Sequence, residues 1–165
     1  MNFESFRTVA EIAVGLTGFV GIIVVLQRRL GGYPRVLLLT FLQLTLGATF
    51  FALLPDFLSD LFAPERMWRV ATGSFGIYHL AIFVQHQWKR WRIWEYGLVQ
   101  ALVTIASLPV ILLKLGVGLG FLGAFAYSIH YLGLLWFLGV ACYGFVLILF
   151  DENAEEAAET HTVAP

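Results

Sequence analysis

Five apolar runs, at about 8–26, 36–54, 67–85, 94–113 and 125–150, constrain this chain more than any motif in it. At ~1.5 Å per residue, about twenty helical residues cross a ~30 Å hydrocarbon core. Water would not tolerate so much exposed apolar surface. The chain is 59% hydrophobic and 13% charged, with a mean hydropathy of +0.82, whereas soluble domains carry about 25% charge. The expected fold is all-α: an integral membrane bundle of five transmembrane helices over 1–150, with short interfacial segments and an acidic, disordered tail over 151–165. Short connections make neighbours in sequence antiparallel neighbours in space. No internal repeat and no soluble domain interrupts them.

The first run carries a single charge, Glu11, and stops at Arg28 and Arg29. Gly15, Gly18 and Gly21 leave a flattened strip along it. MNFESFR lacks a basic n-region, and the apolar stretch that follows exceeds the ~7–15 residues of a signal h-region, so the first helix is expected to be retained. Between the first two runs, Gly31-Gly32 ends one helix and Pro34 begins the next. In 55–66, Phe57, Leu58, Leu61 and Phe62 share a face, which predicts a short helix lying in the interface. In 86–95, Trp88, Trp91 and Trp94 alternate with Lys89, Arg90 and Arg92. Indoles and cations together favour the headgroup level, so these six residues are read as interfacial anchors. The stretch after Lys114 holds Gly116, Gly118, Gly120 and Gly123. It reads as a loose glycine-rich lead into one long helix, with a re-entrant half-helix as the alternative.

Basic residues near helix ends orient the bundle. Arg28, Arg29, Arg35, Lys89, Arg90 and Arg92 flank one side; Arg7, Arg66, Arg69 and Lys114 flank the other. The expected topology is an external N-terminus and a cytoplasmic C-terminus in the cell (inner) membrane. All ten bases lie in 1–150, and five of the eleven acids lie in 151–165. No basic groove exists to follow phosphates, so nucleic acid is excluded as a partner. The partners implied are the lipid bilayer and either a second copy or another membrane protein. Cys142, the single cysteine, cannot form an intrachain disulfide and is expected to be a buried, inert thiol.

Function in such a chain shows as polar groups at membrane depth. Counting residues from the boundaries gives an outer layer of Glu11, Arg69, Tyr127, His130 and Tyr131, and an inner layer of Gln43, His79 and Gln100. Stripes run through these layers at helical spacing: Arg69, Thr72, Gly76 and His79; Gly97, Gln100, Thr104 and Ser107; and Thr40, Gln43 and Gly47. Lipid offers no hydrogen bonds, so the stripes face other helices or water. The first reading is that they fasten helices, with each bond contributing about 0.6 kcal/mol, and that the protein acts by helix–helix association. The second is a small channel or transporter responsive to protons or cations, with Glu11 and the histidines along a polar path. An intramembrane enzyme is the third. No HExxH, no GxSxG and no phosphate-binding glycine loop supports it, and the sequence leans away from catalysis. His79 and His86, about two turns apart, cannot chelate one ion locally. No metal and no cofactor is implied.

Overall fold

Away from water, a backbone must satisfy its own hydrogen bonds, and the computed structural model does so with helices. It describes residues 3–26, 32–90 and 98–162, with side chains for 3–22, 38–87 and 101–146. Five helices follow in order: α1 (Glu4–Leu26), α2 (Gly32–Ser59), α3 (Pro64–Arg90), α4 (Leu98–Gly118) and α5 (Ala126–Thr162). No strand occurs among the described residues. Four spans within these helices are long and apolar enough to cross a membrane: Glu4–Ile22, Leu38–Ser59, Ala101–Gly118 and Gly123–Val146. Large apolar side chains such as Phe19, Phe50, Ile77, Ile105 and Leu112 stand on the outer surface, as a lipid-facing wall requires.

The helix α3 is absent from those four because Arg69, Thr72, Ser74 and His79 interrupt its apolar run. It can carry them because it is sheltered. Its most extensive contact is with α4, and it also packs on α2 and α5. The other large interfaces join α1 to α2 and α2 to α5, and α5 lies across α1, α2, α3 and α4. Phe6, Phe41, Phe75, Met67, Leu134 and Phe137 are the largest apolar side chains fully buried between them.

Three connections differ from the sequence expectation. No separate interfacial helix forms at 55–66: α2 continues through Pro55 to Ser59, and Phe62 N–H returns to Leu58 O at 3.0 Å before α3 starts at Pro64. Asp56, held by an ion pair with Arg7 at 2.7 Å, ties that end of α2 to α1. The glycine-rich stretch does not begin as a loose lead, because its first residues belong to α4. The helix α4 runs on to Gly118 and closes when Phe121 N–H bonds Gly116 O and Gly120 N–H bonds Val117 O, both at 2.9 Å. That double bond is a Schellman cap, and Gly120 at φ +90° supplies the left-handed residue it needs. One 3-10 turn, Gly123–Phe125, leads into α5. The acidic segment expected as a disordered tail instead continues α5 to Thr162. Its alanines and glutamates are strong helix formers, and no glycine or proline breaks the run.

Cys142 is also corrected. It is exposed, not buried, because it lies on the outward side of α5 while Leu138 and Ala141 face the core.

Candidate functional site

Among the described residues, the ionisable side chain of a Lys, Arg, Asp or Glu buried most deeply is one that sequence counting placed at a helix flank. Lys114 has 0% of its surface exposed. It lies on α4 opposite Gly76, twelve residues or ~18 Å into the 27-residue α3. The small residues of neighbouring helices make room for it. Gly73 and Gly118 bring α3 and α4 together so closely that a Cβ on Gly73 would sit 2.9 Å from the Gly118 Cα. On α5, Gly133 faces the lysine stem, and a Cβ there would collide with Lys114 Cε.

The ammonium enters a box of rings. Lys114 Nζ lies 3.3 Å from the Phe75 ring centroid and 4.7 Å from that of Phe137. Among the described residues it hydrogen-bonds His79 Nδ1, at 3.2 Å. Among the described residues no carboxylate pairs with it; the two ion pairs there, Arg7–Asp56 and Arg69–Glu65, are at the surface. While Lys114 is an ammonium it has donors only, so in that form His79 Nδ1 offers its lone pair and the ring proton is on Nε2. Two protonated groups would set donor against donor. The pair therefore holds either one extra proton or none.

His79 is 4% exposed. Its edge meets Phe137 at 4.7 Å, and it lines a cavity of about 100 Å³ between α2, α3, α4 and α5. That volume holds several waters. The cavity runs from His79 to His86, about two turns along α3. Thr40, Thr104, Ser107 and Gln87 give it polar points, and Trp136 donates to Ser107 Oγ at 3.1 Å. Gln87 Oε1 is buried in its wall without a partner among the described residues, a position that suits water.

A second buried histidine lies across Phe75 from the lysine. The Phe75 ring contacts that of His130 at 5.4 Å. His130 is 0% exposed; its Nε2–H donates to Phe51 O at 2.8 Å, and Nδ1 lies 3.1 Å from Thr72 Oγ1. The Thr72 hydroxyl can donate to a neutral ring or accept from a charged one, so either state is accommodated without moving the ring. Phe6, Trp68, Tyr127 and Tyr131 gather on this side, each of the last three in ring contact with Phe6.

The anticipated layers are thus divided. His130, Tyr127 and Tyr131 come together, whereas Glu11 and Arg69 do not join them. Glu11 is exposed on α1 without a partner among the described residues. Arg69 is exposed, bonded to Glu65 at 2.8 Å, and covers Gly120 at the α4 cap. In the inner layer, Gln43 bonds Gln85 at 3.3 Å rather than His79. The side chains of Gln100, Trp88, Lys89 and Arg90, and all of Trp91, Arg92 and Trp94, lie outside the described residues. Lys114 was missed because its charge suggested a boundary. The signal lay in its spacing: the Gln100, Thr104, Ser107 stripe continues seven residues from Ser107 to Lys114, on the same helical face. Comparison with protein-family models, with curated proteins and with solved structures gives no match to this chain.

Proposed function

We propose that this chain is a small multi-pass membrane transporter whose working ion is the proton, exchanged at the Lys114–His79 pair. The observation that carries the reading is the Lys114 amine: fully buried, enclosed by Phe75 and Phe137, hydrogen-bonded to an imidazole, and paired with no carboxylate among the described residues. A charge so placed costs several kcal/mol to desolvate, and a fold with only packing to achieve would use an apolar residue. The cavity brings water within reach of His79, and His79 passes a proton between that water and Lys114. Phe75 closes the way from Lys114 to His130, so access is from one side at a time.

In this reading α3 is the fifth span, with polar residues directed inward. Withdrawing Lys114 from the flanking charges leaves Arg7, Arg66 and Arg69 against six bases on the other side. That margin supports an external N-terminus in the cell membrane and a cavity on the cytoplasmic side. The test is a pH gradient imposed on liposomes containing the purified chain, with potassium and valinomycin to dissipate membrane potential. The expected result is collapse of the gradient faster than in protein-free vesicles, and its loss in His79→Phe. A folded wild-type chain that leaves the gradient at the protein-free rate overturns the proposal.

Association through α1 has its own support. Glu11, Gly15 and Gly18 occupy one exposed face of that helix, and nothing lies within 4 Å of where a Cβ would stand on either glycine. Such a face permits close helix approach. It is compatible with transport and does not replace it.

A further inference from the structure

The Lys114–His79 pair and its cavity, taken as the proton site proposed above, have a charge balance that points to a ligand. We infer that the cavity binds a small organic monocarboxylate and that this anion enters together with the proton.

The pair has two permitted forms. With no extra proton, it is two neutral bases in apolar surroundings. With one, it is a net positive charge that no described side chain offsets. A buried uncompensated charge is the costlier form. An anion beside the pair reverses that order: proton and anion together leave the site neutral. Each therefore favours the other by the same free energy, as linkage requires.

Geometry selects where the anion sits. Lys114 uses the Nδ1 side of the His79 ring, so Nε2–H is the donor left for the cavity that His79 lines. A carboxylate oxygen accepts from Nε2–H, and the imidazole lies between ammonium and carboxylate. Ser107 and Thr104 stand on the adjacent α4 wall. The rest of the lining decides the class. Phe41, Leu44, Ile82, Val103, Trp136 and Val140 would strip water from a halide and give nothing back, but they would pack against a short alkyl tail. The titratable groups lining this space are His79 and His86 from α3 and Tyr143 from α5; Lys114 of α4 stands behind His79, and His130 lies beyond Phe75. From α2 it receives Thr40, Phe41 and Leu44, and from α1 nothing.

The experiment uses the full chain in detergent at low buffer concentration, with radiolabelled butyrate for binding and a pH indicator for proton uptake. Saturable binding is expected, with one proton taken up per butyrate. Lys114→Met should lose both. Val140→Trp, which narrows the cavity at its alkyl wall, should reduce butyrate binding at least tenfold. Butyrate that fails to bind a chain still conducting protons overturns this inference and leaves the transport reading standing. Binding without proton uptake overturns it as well, and chloride binding as tightly as butyrate overturns the carboxylate assignment. A folded chain that moves no protons, with butyrate present or absent, overturns the transport reading itself.

Discussion

Replacing Lys114 by methionine separates what the lysine does for the fold from what it does for the proton. Methionine keeps the unbranched stem that Gly133 and Gly76 accommodate and removes only the ammonium. Relative to the protonated pair, the variant loses a desolvated cation–π contact, about 2 kcal/mol, and a charged hydrogen bond to His79, about 1.5–3 kcal/mol. Against these stands the desolvation of a fully buried ion, several kcal/mol, with no counter-charge to offset it. Exchanging buried ions for apolar residues of similar volume is often neutral or stabilising by about 1–4 kcal/mol. The His79 nitrogen left without its donor subtracts about 1 kcal/mol of that. The expected net effect of Lys114→Met therefore runs from neutral to a gain of about 3 kcal/mol. At roughly 2–4 °C per kcal/mol for a chain this long, the thermal midpoint in detergent should hold or rise, by up to about 12 °C. Lys114→Ala, which opens a void beside Phe75 and Phe137, should instead cost about 2–5 kcal/mol. Circular dichroism melts of the three chains provide the comparison. If the methionine variant is less stable than wild type by more than about 1 kcal/mol, the ammonium is a net structural tie. The reasoning that it is retained for its chemistry then fails.

Two further outcomes test the architecture. Gly73→Ala should push α3 from α4, because its Cβ meets backbone at Gly118 rather than a side chain that can turn away. A loss of about 1–3 kcal/mol is expected in the same melts, and an unchanged midpoint would mean that the two helices do not approach so closely. Cys142, exposed on the outward face of α5, should react in membranes with an apolar maleimide and resist a charged, impermeant one, while both label it after denaturation. Rapid labelling by the charged reagent in intact membranes would place this face of α5 in water.

Much of the fold was written in the hydrophobic pattern, because lipid imposes one requirement on every residue of a span. The five helices and their antiparallel order follow from run length and short connections. The helix ends did not, since they depend on particular local choices. Pro55 reads as a boundary, yet α2 carries it as an internal residue. Gly120 does end a structure, but the evidence lies in which carbonyls the next two N–H groups reach. The site was legible only in part. Thr72, Gly76 and His79 fall on the face of α3 that turns inward, as their spacing required. Depth counting gave no hint that one ring, Phe75, would stand between His130 and the Lys114–His79 pair. Glu11 and Arg69 defeat the same counting, because equal depth does not imply a shared face.

Lys114 shows why composition misleads where packing decides. A lysine four residues before the end of a helix has the stem to reach the headgroups, and snorkelling would cost little. Here that route is closed. Gly73 against Gly118 seals the α3–α4 seam on the turn above, and Gly133 and Gly76 open a slot on the opposite side, toward the centre. The stem follows the space available, and the ammonium arrives between Phe75, Phe137 and His79. Glycines on three helices thus direct one side chain. No single glycine would be informative alone, since Gly15, Gly18 and Gly139 have nothing within 4 Å of a Cβ position. What distinguishes Gly76 and Gly133 is that they face the same residue from different helices. This placement gives the bundle a basic group away from water and lipid alike, where gaining or losing one proton changes the charge of its core.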